Sequence, residues 1–175
     1  LEPRNGMAFL KTILAVISFC VLMAPGFGYE SALNIIKNCP SKQESIFLTA
    51  KQVLKIQKLG EPYFNSALQQ RTTYSCKSEK IYAYIQTDIV RTLPQTIITY
   101  ISKKGGVLDL EVKSFSEPLE YKAPIKWLAQ FINKIFTKKL KIGHQIDGLT
   151  GATLTSTSTS RLVRRSLLIH RVLAN

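Results

Sequence analysis

Acidic residues are scarce in this chain, because 11 aspartates and glutamates stand against 24 lysines and arginines, a formal net charge of +13 at pH 7. Histidine occurs only twice and cysteine three times in 175 residues. His144 and His170 are too far apart in sequence to predict a local metal-ligand pair. The chain also lacks Ser-His-Asp, paired-carboxylate and close Cys-x-x-Cys patterns. It therefore offers no catalytic constellation of its own, and no metal site is expected.

The first thirty residues are typical of a secretory signal peptide. Lys11 precedes an apolar stretch from Thr12 to Ala24, and small residues follow before Tyr29. The apolar stretch is short for a transmembrane helix. We predict that residues 1–28 comprise upstream residues plus a signal peptide, and that the exported mature protein begins near Tyr29. An uncleaved N-terminal anchor is the alternative.

Export changes how the cysteines are interpreted. Cys20 lies in the leader, which leaves Cys39 and Cys76 in the mature chain. Two thiols in an oxidising compartment most often form one disulfide, and this pair would tie the N-terminal segment to the body of the domain. A redox-active pair is the alternative, although such pairs usually have a much closer spacing.

The pattern of apolar residues predicts a single α+β domain with a small antiparallel sheet, a meander, packed with helices. With 45% hydrophobic residues, the chain has enough apolar material for one core. Thr49 is a plausible N-cap for the first predicted helix. The sheet is expected to have one solvent-facing side. The predicted helices are Phe47–Leu59, Ile125–Phe136 and about Thr157–Leu173, and the predicted strands are Ile81–Val90, Thr96–Ser102 and Val107–Lys113.

Hydroxyl groups are concentrated in the stretch DGLTGATLTSTSTSRLVRR, residues 147–165. Eight of the eleven residues from Thr150 to Ser160 are serine or threonine. Such a run is either a loose connector or a segment in which one hydroxyl is held in a tight glycine turn. Gly148 and Gly151 permit that turn, and the N–H groups at the start of the next helix can cradle a phosphate. A threonine hydroxyl there is suited to form a phosphoester, whereas an ordinary capping loop is the alternative.

The string DGLTGAT, residues 147–153, resembles the flavinylation motif of the FMN-binding domain family. Two further blocks, DIVRTLPQT and FSEPLEYKAPIKWLAQF, precede GATLTSTSTSRLVRR in the order found in that family. The resemblance spans about residues 87–168. It is closest to the FMN-binding region of the nitrous oxide reductase accessory flavoprotein. The flavin subunits of the sodium-pumping NADH:quinone reductase and of the Rnf complex are related to it.

The resemblance implies a covalent cofactor. In the family, an FAD-dependent and Mg²⁺-dependent flavin transferase esterifies FMN through its phosphate to the final threonine of the motif, which is Thr153 here. Tyr121 and Trp127 are equally well explained by core packing, and Glu117 by turn formation. Ser116 stands where some relatives have a histidine. The other residues expected to bind the cofactor or surround its attachment point are Asp147, Gly148, Thr150, Gly151, Ala152, Thr155, Glu117, Tyr121 and Trp127.

The function implied is that of an extracytoplasmic electron-transfer flavoprotein working between unidentified donor and acceptor proteins. Basic residues near the motif would raise the flavin potential or simply form a solvated face. They are Lys138, Lys139, Lys141, Arg161, Arg164 and Arg165. One rival is a non-redox basic module that binds an anionic partner or a membrane surface. Another is a flavoenzyme acting on a small substrate. An exported protein is not expected to bind nucleic acid.

Overall fold

The computed structural model describes residues 32–77 and 79–174. The predicted leader, its cleavage near Tyr29 and Cys20 lie outside the described residues. In the part of the chain that is described, none of the helices combines the length and the apolar character needed to cross a membrane.

The core of the fold is a five-stranded antiparallel sheet whose strands follow one another in chain order. The predicted α+β fold is confirmed, and the three predicted strands occur with bounds shifted by at most two residues. Two further strands were not predicted, because their sequences, SKQESIF and LQQRTTYS, are largely polar. The strands are β1 Ser41–Phe47, β2 Leu68–Ser75, β3 Lys80–Ile89, β4 Pro94–Ser102 and β5 Val107–Phe115.

Four helices accompany the sheet in the described residues. Thr49 caps the second one as predicted, since the N–H of Gln52 donates to Thr49 Oγ1 at 3.3 Å and the N–H of Thr49 donates to Gln52 Oε1 at 2.9 Å. The helices are α1 Ala32–Ile36, α2 Ala50–Lys58, α3 Ile125–Leu128 and α4 Thr153–Ala174, and short 3₁₀ turns cover Leu119–Tyr121 and Ala129–Phe131.

Three predicted helix bounds were wrong. The helix predicted for Phe47–Leu59 begins at Ala50, because Phe47 is the last residue of β1. The helix predicted for Ile125–Phe136 stops by Phe131, and Asn133 then takes a left-handed backbone with φ 61°. The last helix begins at Thr153, not near Thr157. The hydroxyl-rich stretch therefore does not precede the helix but forms its first half.

Helix α4 packs against β3 and β4 on one face of the sheet and is buried on most of its circumference. The opposite face was predicted to be wet, but part of it is covered by α1. There Ile81, Ala83 and Tyr100 pack with Ala32 and Ile36 of that helix. Both faces of the sheet are therefore used, and the α4 face carries the larger core.

Cys39 and Cys76 form a disulfide with an S–S distance of 2.04 Å. It joins the segment between α1 and β1 to the residue that follows β2. The bond closes a sequence separation of 37 residues, and so it restricts the unfolded chain as well as the folded one. The N-terminal helix is thereby tied to the sheet that it covers.

Candidate functional site

A tight turn brings the chain into α4. The N–H of Ala152 donates to the carbonyl oxygen of Leu149 at 3.0 Å. Gly151, the third residue of this turn, has φ 79°, the value that a type II turn requires and that glycine adopts without strain. The helix begins at the very next residue after Ala152. The glycine of the motif thus has a conformational role.

The N-terminus of α4 has no side-chain cap from the residue that precedes it. The first bond of the helix runs from the N–H of Ser156 to the carbonyl oxygen of Ala152, at 3.0 Å. The N–H groups of Thr153, Leu154 and Thr155 therefore have no partner within the helix. The methyl side chain of Ala152 cannot accept a hydrogen bond from them. Uncapped N–H groups and the positive end of the helix dipole together suit an anion.

These residues line a pocket of about 300 Å³. Thr153 is exposed at its mouth, as the first residue of the helix. The turn after β3 and the loop after β5 supply the other walls. The structure thus brings part of the motif together with two residues of the middle block. The lining comprises Val90, Arg91, Glu117, Tyr121, Gly151, Ala152, Thr153, Leu154 and Thr155.

Thr155 places a polar atom in this pocket lining without a protein partner. Its side chain is 1% exposed, and the buried Oγ1 makes no hydrogen bond to any described residue. Leaving a buried hydroxyl unsatisfied costs about 1 to 3 kcal/mol. A ligand with an oxygen acceptor could remove that cost. Thr155 was expected to bind the cofactor, and its position fits that role.

Glu117 fixes the turn between β3 and β4. Its Oε1 accepts hydrogen bonds from the backbone N–H groups of Arg91, Thr92 and Leu93 at 3.1, 2.7 and 2.8 Å. The bonds from Thr92 and Leu93 are the main reason why the pKa of the Glu117 carboxyl lies below its ordinary value. The structure therefore shows that Glu117 forms the turn, which was the alternative to cofactor binding for this residue. Glu117 also lines the pocket.

Trp127 supports the motif from the core. It is 7% exposed and packs edge-on against Phe131, with ring centroids 5.5 Å apart. Its Nε1–H donates to the carbonyl oxygen of Asp147 at 3.0 Å, and Gln130 Oε1 accepts from the N–H of Asp147 at 2.9 Å. Trp127 is not part of the pocket lining. Its role is to hold the first residue of the motif in place.

The remaining predicted residues lie beside the pocket. Asp147, Gly148 and Thr150 are exposed and are not among its lining residues. Tyr121 does line it and is 39% exposed. For Tyr121 the structure thus favours a contact with a ligand over core packing.

Sequence reasoning did not single out Val90, Arg91 or Gln130. Val90 and Arg91 line the pocket, and Gln130 binds the motif backbone. All of them lie within the quoted blocks DIVRTLPQT and FSEPLEYKAPIKWLAQF. The resemblance of these two blocks to the family could therefore have identified these three residues as candidates.

Three of the four arginines of α4 do not form a simple solvated face. Arg161 Nη1 lies 2.7 Å from Asp88 Oδ2, while Arg164 Nε and Arg165 Nε lie 3.2 and 3.4 Å from the two carboxylate oxygens of Glu61. Lys138, Lys139 and Lys141, by contrast, are exposed. Much of the arginine charge is thus balanced inside the protein.

Residues 94–168 match the model of a known family, whose description is FMN-binding domain. This range contains the whole motif as well as Glu117, Tyr121 and Trp127. Residues 94–168 are therefore similar to an FMN-binding domain. The resemblance inferred from the sequence is confirmed, and FMN is the cofactor that this domain is expected to hold. Searches of the curated proteins and of the solved structures found no match.

The residues that line the pocket fit the phosphate end of FMN. The uncapped N-terminus of α4 offers N–H donors, and Gly151 gives the turn that exposes them. Thr155 adds a buried hydroxyl that has no partner among the described residues. Val90 and Tyr121 supply less polar walls next to this end. Arg91 and Glu117 are the charged residues in the lining.

Proposed function

We propose that this protein is an extracytoplasmic electron-transfer flavoprotein that carries FMN covalently, through an ester between the FMN phosphate and Thr153. One observation carries the proposal: the exposed Thr153 stands at the uncapped start of α4 and in the lining of the pocket that Glu117 and Tyr121 also line. The FMN-binding domain supports the cofactor. The motif supports the covalent link.

Attachment needs an accessible hydroxyl, which Thr153 provides. With an FAD-dependent and Mg²⁺-dependent flavin transferase, Thr153 Oγ1 forms a bond to the phosphorus of the FMN half of FAD. The pyrophosphate bond breaks, AMP leaves, and the hydroxyl proton passes to a base of the transferase. The N–H groups at the start of α4 stabilise the negative charge of the resulting diester. Thr155 can donate a further hydrogen bond.

The bound flavin would supply one- and two-electron chemistry of its own. The residues of this chain would hold and tune it. Tyr121 and Val90 form walls for a ring, and Arg91 lies at the pocket with a positive charge that favours an anionic reduced cofactor. The donor and acceptor are proteins outside the cytoplasm. The excess of basic residues suits contact with an acidic partner or with a membrane surface.

The proposal is tested by the intact mass of protein exported from a host that has the flavin transferase. We expect the mass of one FMN phosphoester, mapped to the peptide that contains Thr153, and a mature N-terminus near Tyr29. Thr153→Ala should be unmodified, while the control Thr157→Ala, an exposed threonine one turn later in the same helix, should carry the full modification. Unmodified protein from a host that flavinylates a control protein would refute the covalent link.

Electron transfer needs its own measurement. The flavinylated protein should be reduced and reoxidised repeatedly by small redox mediators, with a measurable midpoint potential and without any added substrate. If reduction occurred only with a specific organic substrate, a flavoenzyme would replace the carrier.

A further inference from the structure

A second pocket, called here the basic pocket, lies further along α4. Its volume is about 570 Å³. Thr157 and Arg161 follow Thr153 by four and eight residues and so share its side of the helix. Eight residues correspond to about 12 Å of helix. The basic pocket is lined by Gly60, Glu61, Pro62, Tyr63, Lys141, Ile142, Thr157, Ser160, Arg161, Arg164 and Arg165.

Cations outnumber anions around the basic pocket. Lys141 and three arginines of α4 line it, against the single carboxylate of Glu61. Asp88 adds a second carboxylate, because it pairs with Arg161 at 2.7 Å and lies 3.9 Å from Arg165. Four positively charged and two negatively charged side chains therefore lie in or beside the basic pocket. The surplus favours an anionic ligand.

The cations of the basic pocket are not equally available. Arg164 is almost fully used, because its Nε donates to Glu61 and its Nη1 donates to the carbonyl oxygen of Leu140 at 3.0 Å. Arg161 is 41% exposed, and its hydrogen bond to Asp88 uses Nη1 alone of its nitrogens. Lys141 is exposed. Arg161 and Lys141 are the residues that can offer N–H donors to a ligand.

Two hydroxyl groups lie with these cations. Thr157 is exposed, and Ser160 is 3% exposed with a buried Oγ that has no hydrogen-bond partner among the described residues. A buried hydroxyl without a partner is costly unless a ligand or water satisfies it. The pocket thus has both the charge and the neutral donors with which proteins bind phosphate oxygens.

An aromatic ring stands at the edge of the basic pocket. Tyr63 is 90% exposed, although tyrosine normally buries much of its ring. Pro62 precedes it in the same lining. An exposed ring beside a cationic pocket offers a stacking surface for a flat ligand.

We propose that the basic pocket binds a phosphate ester that also carries a flat ring, the chemistry of a nucleotide. Arg161 and Lys141 hold the phosphate, Ser160 and Thr157 donate hydrogen bonds, and Tyr63 stacks on the ring. This binding needs neither Thr153 nor a bound flavin, and so it is independent of the function proposed above.

The experiment is isothermal titration of ADP into flavin-free protein at low salt. We expect saturable binding to one site. Tyr63→Ala and Lys141→Gln should each weaken it about tenfold, or 1.4 kcal/mol. The matched controls Phe47→Ala, another exposed ring, and Lys113→Gln, another exposed lysine, should bind as the parent does. Thr153→Ala should also bind normally, even though it cannot be flavinylated.

Pyrophosphate and adenosine separate the two parts of the ligand. Each should bind at least about tenfold more weakly than ADP, because each lacks one of the two contacts. The proposal is overturned by the absence of ADP binding, by binding that Tyr63→Ala and Lys141→Gln leave unchanged, or by pyrophosphate or adenosine binding as tightly as ADP. Circular dichroism of each variant ensures that a loss of binding does not reflect unfolding.

Discussion

The two halves of α4 are both buried, but by different chemistry. In the first half, residues 153–160, the buried side chains are hydroxyls. In the second half Leu162, Leu168 and Ile169 are fully buried in the main core. A hydroxyl-rich run can therefore form the buried part of a helix when the facing strands supply polar partners.

Those partners come from β3 and β4. Gln95 Nε2 donates to Ser158 Oγ at 2.8 Å and to Thr159 Oγ1 at 3.2 Å. Ser158 Oγ in turn donates to Asp88 Oδ2 at 3.1 Å. Small polar side chains thus bring the start of α4 close to the sheet. We infer that the aliphatic half supplies most of the stability and that the hydroxyl half positions the site.

The largest effect is expected in the aliphatic half. Leu168→Ala removes a fully buried side chain from the main core, and we expect it to lower the free energy of unfolding by about 2 to 5 kcal/mol. Urea denaturation followed by circular dichroism measures the change. Leu154→Ala, at a residue that is 52% exposed in the hydroxyl half, is the control and should change little. Equal losses of unfolding free energy in the two variants would contradict the inference that the aliphatic half supplies most of the stability.

A smaller loss is expected from breaking the polar contact of the hydroxyl half. Gln95 is 1% exposed, and Gln95→Leu removes the donor shared by Ser158 and Thr159. We expect a loss of about 1 to 3 kcal/mol in the same measurement. The double variant with Ser158→Ala should lose less than the sum of the single losses, because the two side chains share one network. Strict additivity would show that the network has no energetic coupling.

The sequence predicted those parts of the fold in which apolar residues recur with a clear period. The strands β3, β4 and β5 and the cap at Thr49 belong to this group. The two strands β1 and β2 were missed because β1 is exposed or half-buried throughout and β2 nearly so, and such strands show little apolar alternation. Serine and threonine have modest helix propensity. For this reason the predicted start of α4 lay too far along the chain. Gln95 and Asp88, which are distant in sequence, supply the hydrogen-bond partners of Ser158 and Thr159 in this polar part of the helix.

The candidate site, like the fold, could be predicted from the sequence only in part. The motif located Thr153, Gly151 and Thr155 in sequence, but no local pattern shows that the turn at residues 90–93 forms the opposite wall. That wall depends on one long-range contact, the carboxylate of Glu117, which accepts from three backbone N–H groups. Sequence alone could not choose between turn formation and ligand contact for this residue.

The contact at Glu117 gives a pH-dependent test. Because its pKa is lowered in the folded protein, Glu117 contributes stability above its unfolded pKa of about 4.3. This contribution is lost as the pH falls through the lower folded pKa. Glu117→Gln keeps an oxygen acceptor but removes the charge. We expect the variant to be less stable than the parent at pH 7, and the difference to shrink steadily below about pH 4.

Urea midpoints of parent and variant between pH 7 and pH 3 provide the measurement. Glu120→Gln, at an exposed residue of the same loop, is the matched control and should show no comparable difference. A stability difference between Glu117→Gln and the parent that stayed constant with pH would mean that the backbone hydrogen bonds do not depend on the carboxylate charge.

The smallest effect on stability is expected at Thr155, in the hydroxyl half of α4. Its buried Oγ1 has no partner among the described residues, so Thr155→Val should leave the unfolding free energy of the flavin-free protein unchanged or slightly raised. Flavin incorporation should nevertheless fall, because the hydroxyl would no longer be available to the phosphate. Thr155→Ser keeps the hydroxyl and should retain incorporation. Intact mass measures the flavinylated fraction of each variant after a fixed time with the transferase and FAD. Full incorporation in Thr155→Val would remove Thr155 from the site and leave the helix N-terminus as the principal phosphate contact.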